Sequence, residues 1–447
     1  MPVDLWPNPH EFGLATDLYQ ITMMAGYAAS GLADQPAVFE LFVRRLPKNR
    51  SYLVFAGLEQ AMVDLLRLSF SDEQVEYIRR LPTFKHVPES FFQQLKKFRF
   101  TGNVYAMREG TLCFSNEPLL RVEAPLAQAQ LAETFLLASL AYPTLVASKA
   151  MRCVQAAEGR PLFDFGARRG HGPHAGFLCA RAAYLSGFAG TSHVEAARRL
   201  NIQAIGTMAH SWVQSFPTEL DAFKAYARSF PDSTTLLVDT YNTLEGVRHA
   251  ASIPEAHAIR LDSGDLGDLA HKARKILDDV GRTDITIVAS GDLDEWKIQN
   301  LLASGAPIDA FGVGTELITS RDAPALSMVY KLVELNGQGR IKLAPGKKSY
   351  PRSKQVWRTQ DSHGLFSADH ITAAYEPFHG EPLLEPVILQ GQPVHQERNL
   401  TSARNHASIQ IKHLPARYRV LDDAPEYPVH FSDALEAAAA QLGQTLV

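Results

Sequence analysis

Residues that can bind phosphate, a sugar hydroxyl or a metal ion follow three short apolar segments in the middle of the chain. The segments end as Arg260-Leu-Asp-Ser-Gly-Asp265, Ala289-Ser-Gly-Asp292 and Ala310-Phe-Gly-Val-Gly-Thr315. Carboxylates at such positions suit ribose hydroxyls or magnesium, and glycine-rich turns leave backbone N–H groups free for phosphate. This combination predicts the binding site of an enzyme.

The same arrangement extends to seven candidate strands, each followed by polar residues of different chemistry. These residues are Arg168, Arg169 and His171; Thr191, Ser192 and His193; His210 and Ser211; Asp239, Tyr241 and Asn242; Asp262, Ser263 and Asp265; Ser290, Gly291 and Asp292; and Gly312, Gly314 and Thr315. Any one of them alone is more often a helix cap or a turn former. Seven groups in succession are harder to explain by packing. Together they predict a phosphorylated sugar bound with magnesium, although no residue is assigned to the metal.

His210 lies beyond a strand and at the start of a helix, in Ile205-Gly-Thr-Met-Ala-His-Ser-Trp212. A lone histidine is usually a structural residue. At a helix N-terminus among phosphate ligands, however, a ring nitrogen can accept a phosphoryl group.

The elements that must position these residues form a repeat of strand and helix from Leu131 onward. The strand candidates are Phe163–Phe165, Phe188–Ala189, Gln203–Thr207, Thr235–Asp239, Ala258–Leu261, Ile285–Ala289 and Ala310–Gly312. Seven strands with helices between them predict a closed or nearly closed α/β barrel, whose strand ends open on one side. An open doubly wound sheet is the alternative. It would normally carry a nucleotide-binding fingerprint, and Gly312-Val-Gly-Thr-Glu-Leu fails that pattern.

The periodicity also predicts the domain organisation. An α+β domain is expected over residues 1–128, the barrel over 129–338, and a C-terminal segment over 339–447 that packs back on the N-terminal domain. Predicted elements outside the barrel are a helix over Thr16–Tyr27, a strand over Ala37–Arg45, helices over Ser51–Ala61 and Asp72–Arg80, and a final helix over Ala434–Leu442. The basic loop that carries Lys347, Lys348 and Lys354 either contacts a phosphate ligand or is solvated.

Composition bounds the class of protein. The 447 residues contain 44 Lys and Arg against 48 Asp and Glu, a formal charge of -4, which argues against non-specific binding of nucleic acid. The three cysteines form neither a disulfide framework nor a zinc site, and no secretory signal is apparent, so a cytoplasmic location is expected. The apolar run Leu131–Ser148 contains Glu133 and Pro143 and is interpreted as a buried helix, with no membrane role.

In order and spacing, the motifs resemble those of the nicotinate phosphoribosyltransferase family over most of the chain. The matching motifs are Thr16-Asp-Leu-Tyr-Gln, Phe39-Glu-Leu-Phe-Val-Arg-Arg, Phe163-Asp-Phe-Gly-Ala-Arg-Arg, Gly190-Thr-Ser, Gly206-Thr-Met-Ala-His, Asp239-Thr-Tyr-Asn-Thr, Arg260-Leu-Asp-Ser-Gly-Asp, Ser290-Gly-Asp, Gly312-Val-Gly-Thr and Lys354-Gln-Val-Trp-Arg. The resemblance implies an irregular α/β barrel of the type II phosphoribosyltransferase kind, with a second α+β domain built from both chain ends.

The implied reaction transfers phosphoribose from phosphoribosyl pyrophosphate to nicotinate, giving nicotinate mononucleotide and pyrophosphate in NAD salvage. The family couples this transfer to ATP hydrolysis through a phosphohistidine, which His210 matches. It works with Mg²⁺ as a homodimer whose active sites lie between subunits.

Site residues follow from the same resemblance by matching position. Tyr19 and Phe165 would sandwich the pyridine ring, and Arg168 would bind the phosphoribosyl substrate with Arg169 beside it. Asp239, Arg260 and Asp262 would line the ribose and pyridine region, the two acids acting by position and charge. The remaining matches are Gly291, Gly312, Gly314 and Thr315 around the 5′-phosphate, Asp292 as a substrate-binding residue, Arg44 reaching the neighbouring subunit's site, and Arg321 as a further substrate-contacting arginine.

One position separates close relatives. Nicotinamide-using enzymes carry an Asp after Gly-Thr in the second strand-end motif, where this chain has Ser192. A carboxylate there would repel nicotinate, whereas a hydroxyl can donate to it. Nicotinate is therefore the expected substrate. Nicotinamide or quinolinate transfer, and a non-catalytic relative that senses phosphoribosyl pyrophosphate or NAD-pathway metabolites, are the alternatives.

Overall fold

The computed structural model describes residues 12–344, 349–394 and 399–446. Lys347 and Lys348 lie outside the described residues, so their predicted role stays a prediction. The chain divides into two compact units: the first comprises Met1–Thr144 with Ala325–Val447, and the second comprises Leu145–Pro324. The predicted central domain, 129–338, extends beyond the second unit at both ends.

Fifteen α-helices lie in the described residues. They are α1 (Leu18–Ala29), α2 (Leu58–Arg67), α3 (Asp72–Arg80), α4 (Glu89–Lys96), α5 (Leu126–Ala156), α6 (Pro173–Leu185), α7 (Val194–Leu200), α8 (His210–Gln214), α9 (Glu219–Ser229), α10 (Thr243–Ala251), α11 (Leu266–Asp279), α12 (Glu295–Ala303), α13 (Thr315–Ile318), α14 (Leu400–His413) and α15 (Asp433–Leu446).

The strands are mostly short. They are β1 (Pro36–Val43), β2 (Leu53–Val54), β3 (Asn103–Ala106), β4 (Leu112–Cys113), β5 (Pro118–Pro125), β6 (Leu162–Asp164), β7 (Gly190–Thr191), β8 (Gln203–Ala204), β9 (Thr234–Leu237), β10 (Ala256–Leu261), β11 (Thr286–Ala289), β12 (Ala310–Val313), β13 (Met328–Leu335), β14 (Gln338–Gly339), β15 (Lys354–Gln360), β16 (Phe366–Ala373), β17 (Glu381–Pro382), β18 (Glu385–Leu389), β19 (Gln392–Pro393) and β20 (Val429–Phe431).

The second unit is built on one parallel sheet in the order β8-β7-β6-β12-β11-β10-β9. All of its pairings are parallel. The connections between the strands cross back over the sheet, so the carboxyl ends of all strands lie on the same side. The prediction of an irregular α/β barrel is confirmed. The sheet is a curled half-barrel that ends at β8 and β9 in the described residues, not a closed ring. The second predicted strand, Phe188–Ala189, is two residues too early. The observed strand β7 begins at Gly190, after the fully buried Phe188.

The first unit contains strands from both ends of the chain. Its larger sheet has the order β14-β13-β1-β5-β3-β18-β19, in which β1 lies antiparallel between β13 and β5. Phe39 of β1 stacks on Tyr330 of β13, with 4.9 Å between ring centroids. The predicted helix over Ser51–Ala61 is wrong in its first half, because β2 pairs with β4 and the helix begins only at Leu58.

Helix α5 is the one described helix that is long and apolar enough to span a membrane by length and composition. Its most apolar window is 61% buried inside the protein, as the core helix of a soluble protein also is. Burial against protein accounts for the apolar run that the sequence shows.

Lys354 is neither a ligand-contacting residue nor a solvated one, contrary to both predictions for the basic loop. Its ammonium is buried and lies 2.8 Å from Oε2 of Glu40, and it also donates to the carbonyl oxygens of Tyr350 and Arg352. Burial lowers the pKa of Lys354, while Glu40 opposes that shift. The residue therefore has a structural role in the first unit.

Candidate active site

A cleft of about 570 Å³ opens at the carboxyl ends of the parallel strands. Most of its lining comes from the loops that follow β6, β7, β8, β10, β11 and β12. It contains twelve of the predicted site residues: Phe165, Arg168, Arg169, Ser192, His210, Arg260, Asp262, Gly291, Asp292, Gly312, Gly314 and Thr315. The strand-end rule for parallel sheets accounts for this convergence.

One wall of the cleft is the ring of Phe165, which lies against Gly312. A Cβ on Gly312 would be 2.4 Å from two carbons of that ring, so a larger residue cannot occupy this position without displacing Phe165. The backbone N–H of Phe165 donates to the carbonyl oxygen of Val313. Glycine in β12 thus permits an aromatic ring to cover the end of the strand.

Beneath Phe165 lies the buried carboxylate of Asp164, which sequence reasoning did not select. Its Oδ1 accepts from the Gly166 N–H at 2.8 Å and its Oδ2 from the Thr191 hydroxyl at 2.7 Å. The Cys179 thiol also approaches Oδ1, at 3.7 Å. Burial raises the pKa of Asp164, and these hydrogen bonds oppose the shift. The available signal was an acidic residue inside an apolar strand.

Asp239 and Asp262 lie one behind the other, with Asp262 nearer the cleft. Oδ2 of Asp239 accepts from the backbone N–H of Asp262 at 2.9 Å and from the Ser263 hydroxyl at 2.7 Å. Ser290 in turn donates to Oδ1 of Asp262 at 2.5 Å. Asp262 lines the cleft, whereas Asp239 supports the turn behind it. Oδ1 of Asp239 is buried and has no hydrogen-bond partner among the described residues.

Gly291 allows the turn after β11 to approach the turn after β10. Its φ is 97°, and a Cβ there would be 2.0 Å from the carbonyl oxygen of Asp262. Both the backbone conformation and the contact therefore exclude other residues. The next residue, Asp292, also has a positive φ of 48°.

His210 is the first residue of the short helix α8 and is partly exposed in the cleft. Its Nδ1 is hydrogen-bonded to the Thr240 hydroxyl at 3.1 Å. Its Nε2 lies 4.0 Å from Oδ2 of Asp262. Because Thr240 occupies one ring nitrogen, Nε2 is the nitrogen that faces the carboxylate.

Three arginines supply positive charge at the cleft. Arg260 donates to the Thr207 hydroxyl at 2.8 Å and to the Met208 carbonyl oxygen at 3.1 Å, and its burial lowers its pKa. Arg168 and Arg169 are exposed at the mouth. Arg321 does not line the cleft; it pairs with Glu316 at 2.7 Å, which raises the pKa of the guanidinium.

Tyr19 and Arg44 belong to the first unit. The side chain of Tyr19 is 46% exposed on α1. Arg44 lines a cavity of about 980 Å³ in that unit, and its Nε and Nη2 atoms are buried without a hydrogen-bond partner among the described residues.

A preformed metal cage is absent from the described part of the chain, since no group of three or more His, Cys, Asp or Glu residues is positioned to hold an ion. Magnesium, however, is commonly held by one or two carboxylates plus substrate phosphates. Asp262 and Asp292 in the cleft lining fit that requirement.

Aromatic ring, carboxylates, arginines and glycine turns at the strand ends of a half-barrel define an α/β-barrel enzyme of the type that binds a phosphorylated sugar. Sequence models of three consecutive domains match the chain: the nicotinate phosphoribosyltransferase N-terminal domain over 14–141, the family's main domain over 161–376 and its C-terminal domain over 372–438. The chain belongs to the nicotinate phosphoribosyltransferase family.

Individual relatives agree. The chain is 45% identical to a nicotinate phosphoribosyltransferase of Mycobacterium tuberculosis, over 97% of this chain and 94% of the relative. It is 39% identical to the Bacillus subtilis enzyme of the same name, over 94% and 93%. Human nicotinic acid phosphoribosyltransferase superposes with a TM-score of 0.86 at 29% identity, covering 96% of this chain and 99% of that one.

Proposed function

We propose that the protein transfers the phosphoribosyl group of phosphoribosyl pyrophosphate to the ring nitrogen of nicotinate, releasing pyrophosphate and forming nicotinate mononucleotide for NAD synthesis. The observation that carries the proposal is the cleft itself. It combines an aromatic wall at Phe165, the Ser192 segment, the Asp262 carboxylate and glycine turns for phosphate around one volume.

The residues suit displacement at the anomeric carbon. The bond to pyrophosphate breaks as the nicotinate nitrogen bonds to the carbon, and positive charge develops on the ribose. The carboxylate of Asp262, fixed by Ser290 and by the Asp239 support, is pre-placed to stabilise that charge. The attacking nitrogen has a free lone pair, so no general base is required.

Phosphate groups would be held at the ends of β11 and β12. Gly291, Asp292, Gly312, Gly314 and Thr315 would surround the 5′-phosphate, and Arg168 with Arg169 would contact the diphosphate at the mouth. Mg²⁺ held by Asp262 or Asp292 would neutralise the leaving group.

Nicotinate specificity is assigned to Ser192, whose backbone N–H donates to the carbonyl oxygen of Asp164. A hydroxyl at this position can donate to the nicotinate carboxylate, whereas an Asp would repel it.

ATP coupling is assigned to His210. With Nδ1 bound to Thr240, Nε2 would attack the γ-phosphorus of ATP, forming an N–P bond as ADP leaves. A phosphoryl group there would lie beside the Asp262 carboxylate, so magnesium would be needed to offset the repulsion.

The active assembly is proposed to be a cytoplasmic homodimer with sites between subunits. Arg44 supports this proposal, because its guanidinium has buried donors without a hydrogen-bond partner among the described residues and can serve an anion bound elsewhere. Tyr19, with its exposed ring, would close the pyridine site.

The test is formation of mononucleotide by the purified protein with phosphoribosyl pyrophosphate and Mg²⁺, with nicotinate or nicotinamide offered separately, with and without ATP. We expect product from nicotinate only, increased by ATP. His210→Asn should retain the ATP-independent rate and lose the ATP stimulation, because Asn cannot be phosphorylated at this position.

Each other outcome has a distinct meaning. Product from nicotinamide would contradict the Ser192 assignment while leaving the reaction class intact. Equal ATP stimulation in His210→Asn would contradict the phosphohistidine. No product from either base would contradict the enzymatic proposal and favour a sensor of phosphoribosyl pyrophosphate.

A further inference from the structure

Asp164 occupies a position that connects two loops of the cleft. It is the last residue of β6, where it pairs with Thr191 of β7, and both side chains are fully buried. Its carboxylate reaches forward to the Gly166 N–H and sideways to the Thr191 hydroxyl. No cation pairs with it among the ion pairs of the described residues.

Both loops carry residues assigned to the pyridine substrate. The Gly166 N–H lies in the turn directly after Phe165, whose ring rests on Gly312. The Thr191 hydroxyl, held as a donor to Asp164, accepts from the His193 N–H at 3.1 Å, which fixes the backbone on either side of Ser192. The Ser192 N–H itself donates to the Asp164 carbonyl oxygen at 2.8 Å.

A carboxylate suits this position better than an amide, because an ionised carboxylate only accepts hydrogen bonds. Every neighbour is a donor: a backbone N–H, a thiol and a hydroxyl. An Asn would turn an N–H₂ group towards one of them and disturb one loop or the other. The aromatic wall and the Ser192 segment are thus set by a single buried group.

We infer that Asp164 is a positioning residue for the pyridine substrate, holding the Phe165 ring and the Ser192 hydroxyl at a fixed separation through Gly166 and Thr191. The inference rests on the proposed function and deepens it, since it extends the specificity determinant from Ser192 to the carboxylate behind it.

The experiment measures the KM for nicotinate, the KM for phosphoribosyl pyrophosphate and kcat in the full-length protein. Asp164→Asn and Thr191→Val should each raise the KM for nicotinate by about tenfold, the size expected from losing a hydrogen bond to a charged group. For Thr191→Val the KM for phosphoribosyl pyrophosphate should change by less than about twofold, because Thr191 holds the segment of Ser192 and not the loop of Arg168 and Arg169. Asp164→Asn should raise this KM too, since Gly166 begins the loop that carries both arginines. Thr191→Ser keeps the hydroxyl and should restore the wild-type KM for nicotinate.

Asp309→Asn is the matched control. Its carboxylate accepts from the Ile287 N–H at 2.7 Å, at the amino ends of β11 and β12 and away from the cleft, so the substitution also removes a carboxylate-to-backbone contact. It should leave the KM for nicotinate unchanged.

Equal rises in both KM values for Thr191→Val, or a loss of kcat alone that follows thermal stability in either variant, would overturn the inference and leave Asp164 with a structural role only. Thr191→Val with a wild-type KM for nicotinate would overturn it as well. Should Asp164→Asn fail to fold, the Thr191→Val and Thr191→Ser pair decides. A wild-type protein without nicotinate transfer would instead contradict the proposed function.

Discussion

At the residue scale, the cleft depends on contacts that only glycine permits. Gly312 receives the face of Phe165, and Gly291 lies against the carbonyl oxygen of Asp262. A sequence motif such as Ser-Gly-Asp indicates a turn, but it does not show that the glycine hydrogen faces another loop. Because these glycines have no side chain, the neighbouring residues can pack closely at the strand ends.

Gly291→Ala should abolish most activity and lower thermal stability. The added Cβ would lie 2.0 Å from the Asp262 carbonyl oxygen, in addition to the strain of a φ of 97°. Gly281→Ala separates the two effects, because Gly281 has a φ of 76° but an added Cβ would have no neighbour within 4 Å. We expect this control to cost only about 1 kcal/mol and to keep activity. Similar activity in the two variants, measured with nicotinate, would contradict the steric argument.

At the element scale, a buried ion cluster joins three segments of the second unit. Lys149 on α5 lies 2.5 Å from Glu295 on α12 and 2.9 Å from Asp322, which follows α13. Arg152 binds the same Glu295 at 2.8 Å. The helices that follow the two turns proposed to bind phosphate are therefore fixed to the long helix. Sequence reasoning missed the cluster, since its cations and its carboxylates are separated by more than 140 positions.

Glu295→Gln should lower the free energy of unfolding by roughly 3 kcal/mol, because it removes the carboxylate that the buried Lys149 and Arg152 share and leaves Asp322 as the acidic partner of Lys149. Asp268→Asn is the control. It breaks the exposed pair with Lys272 on α11 and should cost less than about 1 kcal/mol. Urea denaturation monitored by circular dichroism measures both. A loss below 1 kcal/mol for Glu295→Gln would show that the cluster contributes little.

Helix α14 introduces a pH dependence through His406. Burial, with Arg108 and Arg358 nearby, lowers its pKa from 6.5 to about 4, and its Nε2 is hydrogen-bonded to the Thr111 hydroxyl at 3.0 Å. Between those pH values the unfolded chain binds a proton that the folded chain does not. Stability is therefore full above pH 6.5 and falls as the pH decreases towards 4, by roughly 3 kcal/mol.

Replacing this histidine should remove that part of the pH dependence. His406→Gln is expected to lose less stability than the wild type between pH 6.5 and pH 4, whereas His363→Gln, at an exposed turn residue, should follow the wild type. Thermal unfolding at half-unit pH intervals provides the measurement. Parallel curves for the wild type and His406→Gln would contradict the assignment.

At the scale of the whole molecule, the proposed dimer can be tested by mixing two variants and measuring the activity of the mixture. If Arg44 of one subunit serves the site of the other, His210→Ala and Arg44→Ala are both defective alone. A mixed dimer then contains one site with both changes and one site with neither. Random exchange of subunits should restore about a quarter of the wild-type increase in activity that ATP produces.

The mixing experiment has two controls. Size-exclusion chromatography must show that each variant has the same assembly state as the wild type. Mixing His210→Ala with wild-type protein gives the activity expected for passive dilution. No gain on mixing the two dimeric variants would contradict a site shared between subunits.

The sequence by itself determined most of the second unit. Six of the seven strands overlap their predicted positions, and the other, β7, begins two residues after its prediction, because alternation and helical periodicity are local properties of the chain. The carboxyl ends of parallel strands lie on one side of the sheet, so twelve predicted site residues could be placed in one cleft without knowing the strand order.

Only the tertiary structure decided the long-range contacts. It fixed the order of the strands, put Asp239 behind Asp262, and placed Asp164 between two loops. It also buried Lys354 against Glu40, a residue more than 300 positions away in the chain. The physical reason is that a charged side chain has the same local pattern whether it faces water or a buried partner. Its role is settled by register and packing between distant segments.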